Sequence, residues 1–284
     1  ILIKNGESFE RAKKINVVVF DKTGTLTEGK PRVTDIISVA DGYSKDEILA
    51  LAANIESLSE HPLANAVVQA AKEKQLVLKE VLDFQNLEGK GVRGRIENKD
   101  VLLGSMRLLE ESGISAKQYE DKIRVLETEA KTVVGLAENK ELVGIFAIAD
   151  TLKSDAEETV ATLKKSGVET IMITGDNQRT AGAIAKSLGI TKFFAEVLPR
   201  EKAEKIKILQ QEGLKVAFVG DGINDAPALS QADLGIAIGT GTDIAIESGN
   251  IVLVKGHPSK VVEALNLSQL TFRTIRQNLF WAFG

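Results

Sequence analysis

The sequence predicts an α/β protein: a doubly wound parallel sheet with a separate α+β domain inserted after its first strand. Three observations predict it. Short, continuously apolar and mostly β-branched runs recur at 17–20, 170–173, 216–219, 234–238 and 251–254, as expected of strands buried on both faces. Helical patterns lie between the later runs and each closes on a glycine: 154–166 before Gly167, 177–188 before Gly189, and 200–212 before Gly213. Alternation of this kind belongs to open parallel sheets with helices on both faces. Between the first run and the second the pattern changes. Helix-like stretches at 44–58, 62–75 and 117–129 mix with alternating, strand-like stretches near 81–86, 92–96, 100–103, 132–138 and 141–148.

Each element has a local reason. In 154–166, Ala156, Val160 and Leu163 fall on one helical face. The changes of pattern place two joints near Thr27–Asp35 and Ala147–Lys153; both are polar, and the first contains Gly29 and Pro31. Paired crossings of this type are expected to serve as a hinge.

Composition narrows the function classes. The chain has 284 residues, of which 43% are apolar, enough for a packed core. A net charge of -4 offers no field for nucleic acid. There is no cysteine, which excludes a disulfide framework, a thiolate metal site and a cysteine nucleophile within these residues. Only His61 and His257 offer imidazoles, so the expected metal is a hard cation held by carboxylates, such as Mg²⁺. No run of about 18 apolar residues is present. Residues 1–14 carry Lys4, Arg11, Lys13 and Lys14 beside Ile1-Leu2-Ile3, and residues 263–284 carry Arg273 and Arg276 before Asn278–Gly284. Basic residues beside apolar ends resemble the flanks of membrane helices on the cytoplasmic side. A terminal amphipathic helix docked on the body is the other reading.

Three of the apolar runs end in the same chemistry. Phe20 is followed by Asp21-Lys22-Thr23-Gly24-Thr25-Leu26-Thr27, Ile173 by Thr174-Gly175-Asp176-Asn177, and Val219 by Gly220-Asp221-Gly222-Ile223-Asn224-Asp225. Ligands of open α/β sheets sit at the carboxyl ends of strands. One Asp there would be an ordinary turn residue; three ends rich in Asp, Thr and Gly suggest one site. A carboxylate can attack phosphorus and form an acyl phosphate, provided donors and positive charge surround the transferring group. Asp221 and Asp225 are candidates to hold Mg²⁺ together with Asp21. Thr174 and the N–H groups of Gly24 and Gly175 are candidate phosphate donors, and Lys202, near the start of the helix opening at Pro199, is a candidate for neutralising charge. A solvated helix lysine is the plainer reading of Lys202.

These motifs resemble the three signatures of P-type ATPases, within the haloacid dehalogenase superfamily. The resemblance covers essentially the whole chain. It implies that Asp21 accepts the γ-phosphate of ATP, that Lys202 contacts phosphate, that Thr174 and Asp176 serve the catalytic site, and that Asp21, Thr23, Asp221 and Asp225 form the Mg²⁺ site. It also implies a Rossmann-like phosphorylation domain from 15–32 and 147–262, a nucleotide-binding domain at 33–146, a stub or linker at 1–14, and a linker into a membrane helix at 263–284. Soluble phosphatases of the superfamily usually carry a second Asp two residues after the nucleophile; here Thr23 stands there. Without that base the acyl phosphate should persist. The family supplies hydrolysis from an actuator domain with a Thr-Gly-Glu loop, a tripeptide missing from these residues.

Ser59-Glu60-His61-Pro62 resembles the adenine-contacting motif of heavy-metal-transporting P-type ATPases, with Glu56 as the acidic contact. By the same resemblance Gly89, Gly91 and Gly104 let nucleotide approach the backbone, and Thr23 and Gly175 join the nucleotide site. The second His-Pro, His257-Pro258, reads as a turn before a helix. Gly89–Gly94 fits G-x-G-x-x-G, but strand-like sequence follows where a dinucleotide site needs a helix. Gly239-Thr240-Gly241-Thr242 reads as a tight turn. The chain ends resemble copper-transporting members more than zinc or cadmium ones. The expectation is an ATP- and Mg²⁺-dependent, autophosphorylating part of a copper-exporting pump on the cytoplasmic face of the membrane, with the actuator domain and membrane helices as its partners and the transported ion held elsewhere. The alternatives are a zinc/cadmium pump, a soluble phosphatase of the superfamily, and a non-catalytic nucleotide sensor.

Overall fold

The computed structural model describes residues 1–87, 89–221, 225–239 and 249–283. They form two compact units, Ile1–Glu28 with Leu152–Gly284 (unit 1) and Gly29–Thr151 (unit 2). In chain order, unit 1 opens with β1 (Leu2–Ile3), α1 (Gly6–Lys14) and β2 (Val17–Asp21). Unit 2 follows with β3 (Arg32–Ser38), α2 (Lys45–Glu56), α3 (Pro62–Glu73), β4 (Leu82–Leu87), β5 (Gly91–Ile96), β6 (Lys99–Ser105), α4 (Met106–Glu111), α5 (Glu120–Thr128), β7 (Thr132–Glu138) and β8 (Glu141–Ala149). Unit 1 resumes with α6 (Ala156–Lys165), β9 (Glu169–Ile173), α7 (Gln178–Ser187), β10 (Lys192–Phe194), α8 (Pro199–Gln211) and β11 (Val216–Gly220). It ends with α9 (Ala226–Gln231), β12 (Leu234–Ile238), β13 (Ile251–Leu253) and α10 (Ser259–Phe283).

Among the described residues the sheet of unit 1 has seven strands in the order β1-β13-β12-β11-β2-β9-β10. All neighbours run parallel except β1, which pairs antiparallel with β13. The continuous apolar runs are the central strands: every residue of β2, β11 and β12 is buried. Phe20 and Phe218 are fully buried, and Ile206 and Leu209 of α8 pack with Val17, Val19, Ile171 and Phe218 on one face of the sheet. Side-chain caps set two of the helix starts. Asn177 accepts the N–H groups of Arg179 and Thr180 at the start of α7, and at α8 Glu201 accepts the Leu198 N–H while Pro199 fills the first turn.

Unit 2 is a six-stranded antiparallel sheet, β3-β8-β7-β6-β5-β4, among the described residues. Ile48, Leu49, Ala52 and Ile55 of α2 share a core with Val67 of α3 and with Val92, Val101, Leu103 and Leu136 of the sheet. A reciprocal capping box of Ser44 and Glu47 starts α2.

Several elements differ from the sequence reading. β1, α1, β3, α4, β10 and α9 are additional. β3 occupies much of the stretch read as a polar joint. Its residues are half-exposed along an edge, so its apolar alternation is weak, and it pairs with β8 through Arg32↔Ala149 and Asp35↔Ala147. Arg32 and residues 147–149 therefore lie in the sheet of unit 2, and the chain passes between units at Glu28/Gly29 and Thr151/Leu152. At the chain ends, β1 extends the sheet of unit 1, α1 packs on α10, and α10 runs unbroken through 262/263. Among the described residues no helix is long and apolar enough to cross a membrane. The stretch Gly89–Gly94 enters β5 and leads into β6, so the helix a dinucleotide site requires is replaced by a strand.

Gly91 and Gly104 face each other across β5 and β6. A Cβ at Gly91 would lie 2.2 Å from the Leu103 carbonyl oxygen, and one at Gly104 would lie 2.4 Å from that of Lys90. Gly91 also has φ +154°. Neither backbone can yield without breaking the ladder, so Gly91→Ala is expected to lower unfolding free energy by more than about 2 kcal/mol. Urea denaturation followed by circular dichroism measures this; an unchanged midpoint would show that the strands separate at little cost.

Candidate active site

The carboxyl edge of the sheet in unit 1 follows from strand order. β11, β2 and β9 are consecutive neighbours, and parallel register puts Phe20 opposite Val219 and Asp21 opposite Ile173. The residues that follow β11 and β9 therefore flank the Asp21 carboxylate. α8 places Lys202 beneath it: Lys202 Nζ donates to Asp21 Oδ1 at 2.8 Å and to Asp225 Oδ1 at 2.7 Å. All three side chains are buried. The solvated-lysine reading of Lys202 is thus excluded by its position.

A second ion pair lies beside the first. Lys22 Nζ is 2.5 Å from Asp176 Oδ2, and both side chains are buried. Thr174 Oγ1 donates to Asp176 Oδ2 at 2.7 Å and accepts the Asp176 N–H at 3.1 Å. Thr174, Gly175 and Asp176 thus form a tight turn at the end of β9, braced by the Val197 N–H on the Thr174 carbonyl.

After Asp21 the chain makes a wide turn over Lys22–Leu26, with Thr23 extended and Gly24 at φ +73°. The left-handed conformation of Gly24 is one that side chains resist. A Cβ there would also stand 3.6 Å from Asp221 Oδ2, which sets Asp221 against this turn. The Gly24 N–H donates to Thr27 Oγ1 at 3.2 Å. The Gly24 N–H, a candidate phosphate donor from sequence, is used within the turn in this structure. The Thr25 hydroxyl is fully buried and has no hydrogen-bond partner among the described residues.

Charge at the site is unbalanced. Burial pushes the Asp21 carboxyl up to about 7, with the negative charges of Asp225 and Asp221 adding to the effect and Lys202 opposing it. Burial alone would lower the Lys202 ammonium, but Asp21 and Asp225 overcome it and hold the group well above the usual lysine range. Asp21, Asp221 and Asp225 thus bring hard oxygen donors to two adjacent strand ends where one ammonium serves two of them. That donor set fits a divalent cation such as Mg²⁺. Among the described residues no three carboxylates or imidazoles are arranged to hold a metal ion by themselves, so a cation here would draw the remaining ligands from water or phosphate. Residues 222–224, inside the third motif, and 240–248, which hold most of the Gly239–Thr242 loop, lie outside the described residues.

The second group of candidates lies in unit 2. Glu56 ends α2 and is buried, with Oε2 lacking a hydrogen-bond partner among the described residues. Burial raises its carboxyl to about 7, with Ser59 pulling the other way. His61 caps α3, its Nδ1 accepting the Leu63 N–H at 3.2 Å, so Nε2 carries the proton of the neutral ring. The ring is exposed. Gly89, at φ +68°, forms the turn into β5. Gly91 and Gly104 are required by the close approach of β5 and β6, whatever else they admit. His257 lies in the turn between β13 and α10, as read from sequence, with Nδ1 3.7 Å from Asp155 Oδ2.

Sequence reasoning assigned no role to Lys22 or Lys153. Lys22 sits inside the first motif, and its pairing with Asp176 needed β2 and β9 to be adjacent. Lys153 donates to the carbonyls of Gly24 and Gly256 at 2.6 and 2.7 Å; no local pattern marks it.

The Glu56 environment yields a stability test. Its carboxyl has a higher pKa in the folded chain than in the unfolded one, so the native state binds the proton more tightly. The associated stability is present below about pH 4.5 and is lost as pH rises through about 7. Glu56→Gln is expected to be nearly neutral at pH 5 and, at pH 8, more stable than the parent by on the order of 2–3 kcal/mol. Parallel stability–pH curves for the two proteins would overturn this.

Comparison with known proteins agrees with this geometry. Residues 15–233 match the family model of haloacid dehalogenase-like hydrolases. A copper-exporting P-type ATPase of Staphylococcus aureus (strain bovine RF122 / ET3-1) is 48% identical over the whole chain, and a probable copper-transporting ATPase, PacS, of Synechococcus elongatus is 47% identical. The chain spans only 35% and 38% of those relatives. Among solved structures, a catalytic domain of the CPx-ATPase CopB-B matches with TM-score 0.73 and 32% identity over 94% of both chains. A zinc-transporting PIB-type ATPase in an E2.Pi state matches with TM-score 0.68 and 40% identity, over 98% of this chain and 45% of that one. The chain belongs to the haloacid dehalogenase-like hydrolase family and, within it, to the catalytic domains of the heavy-metal P-type ATPases.

Proposed function

We propose that this chain is the ATP-binding and autophosphorylating part of a copper-exporting P-type ATPase, with Asp21 as phosphoryl acceptor. The observation that carries the reading is the buried Asp21–Lys202–Asp225 group at the end of β2, flanked by the Lys22–Asp176 pair. An Asp21 carboxylate oxygen attacks the γ-phosphorus of ATP. The bond from that phosphorus to the β–γ bridging oxygen breaks, and ADP leaves with the electron pair. Lys202 and Lys22 supply positive charge to the transferring group, and the Thr174–Asp176 turn shapes the cradle beside it. Mg²⁺, held by Asp21, Thr23, Asp221 and Asp225, would neutralise phosphate oxygens and favour the ionised form of Asp21. Glu56, His61 and the Gly89, Gly91 and Gly104 backbone of unit 2 hold the nucleotide, with Gly175 beside the phosphate.

Thr23 supports a lasting intermediate over a phosphatase. A general base would have to stand within reach of the acyl phosphate, and Asp176 and Asp225 are each engaged by an ammonium group. Hydrolysis, the membrane path and the copper ligands belong to other parts of the full-length pump, which places this chain at the cytoplasmic face of a membrane.

Incubation with γ-labelled ATP and Mg²⁺ tests the reading. The expected product is an acid-stable, hydroxylamine-sensitive label that disappears in Asp21→Asn; equal labelling of the two proteins would sink it. The relatives that transport copper favour that ion, while the zinc-transporting neighbour at 40% identity keeps a second reading in view. In the full-length pump, copper(I) is expected to stimulate ATP turnover several-fold with zinc(II) inert; the reverse order would assign it to zinc.

A further inference from the structure

We infer that Lys153 is a positioning residue of the phosphoryl-acceptor turn, its ammonium fixing the Gly24 carbonyl so that the turn after Asp21 keeps one conformation. The inference rests on the proposed role of Asp21. Lys153 lies in the segment Leu152–Asp155, where the chain re-enters unit 1. That segment is fastened on two sides. Toward the acceptor turn, Thr27 and Leu152 form an antiparallel bridge, the Lys153 N–H donates to the Leu26 carbonyl at 2.9 Å, and Lys153 Nζ donates to the Gly24 carbonyl at 2.6 Å. Toward the turn between β13 and α10, Lys153 Nζ donates to the Gly256 carbonyl at 2.7 Å, and Asp155 Oδ2 accepts the Ser259 N–H at 3.0 Å.

The physical need is specific. Gly24 has φ +73° and follows an extended Thr23, so the backbone changes direction three residues after the nucleophile. Glycine at that point is the most freely rotating residue of the turn. Its N–H is held by Thr27 and its carbonyl by Lys153, so both of its backbone polar groups are fixed. A trans peptide carries C=O and N–H on opposite sides. Holding the Gly24 carbonyl on Lys153 therefore turns the Thr25 N–H the other way. An ammonium donor to a carbonyl is a charge-assisted bond, stronger than a neutral one. Among the described residues it is the donor that holds the Gly24–Thr25 peptide on its carbonyl side. Small misplacement of an acceptor turn is costly in rate: about 1 Å can cost on the order of a hundredfold.

The test compares the full chain with Lys153→Met, which has no donor, Lys153→Arg, which keeps a cation, and Lys153→Gln, which keeps neutral donors. Phosphoenzyme formation is measured from ATP and, separately, from acetyl phosphate, alongside ATP affinity read with a trinitrophenyl nucleotide. In Lys153→Met the maximal rate is expected to fall about ten- to a hundredfold with both donors, with nucleotide affinity unchanged. Lys153→Arg is expected to recover most of the rate and Lys153→Gln part of it. Unchanged rates, or a loss confined to ATP with weakened nucleotide affinity, would overturn the inference. If Lys153→Met does not fold, the Arg and Gln variants decide: equal rates in both and in the parent would overturn it, and a graded loss would support it. A parent chain that takes no label on Asp21 would overturn the acceptor role itself, which separates the two failures.

Discussion

The buried ammonium of Lys202 between Asp21 and Asp225 is the constraint on which unit 1 depends. Two carboxylates this deeply buried cannot both carry charge unless a cation stands between them. Lys202 meets that need only because three separate features coincide. β11 lies next to β2, which brings Asp225 toward Asp21. The Pro199 start and the Glu201–Leu198 cap fix where α8 begins. Ile206 and Leu209 then seat that helix on the sheet. The same arrangement displaces the Asp21 carboxyl upward, through burial first and the negative charges of Asp225 and Asp221 second, against the pull of Lys202. A centre built in this way favours what it lacks, a divalent cation and the positive groups that a phosphate attracts.

Unit 2 is organised by a different constraint, the close approach of backbones. The facing glycines of β5 and β6 let the strands come nearer than any side chain would permit. α2 packs across that side of the sheet and ends at Glu56, a buried carboxyl with one oxygen unpartnered among the described residues. An unmade hydrogen bond of this kind costs on the order of 1–3 kcal/mol. On the proposed reading a donor of the bound nucleotide would complete it.

What the sequence disclosed and what it did not follows from range. The central strands were legible because β2, β11 and β12 are buried on both faces and so are apolar without interruption. α6, α7 and α8 were legible because a terminal glycine and a periodic face mark each one, whereas α1 and the six-residue α9 carry no such mark. The edge elements were not. β1 has two residues and β10 three, and β3 is half-exposed beside a proline, so none carries a pattern that separates it from a loop. Asp21, Thr174 and Asp221 were legible as strand-end residues. The partners that govern them were legible only in part: Lys202 lies 181 residues from Asp21 and Lys153 129 residues from Gly24. A contact across such a distance leaves no trace in local spacing, and resemblance to a family supplied the first but not the second.

These ranges bear on how the site does its work. The groups that would react are set by secondary structure, the ends of β2, β9 and β11. The groups that hold them in register come from segments far away in the chain: α8, the strand-like bridge at Thr27 and Leu152, and the turn between β13 and α10. Both backbone polar groups of Gly24 are already committed, and so is the Thr174 hydroxyl. Little within the turn is left to relax around a bound phosphate. On the proposed reading that stiffness suits the reaction. A rigid cradle with two buried ammonium groups and no second carboxylate at Thr23 stabilises transfer to Asp21 but offers no base for water. The bond formed should last until something outside these residues attacks it.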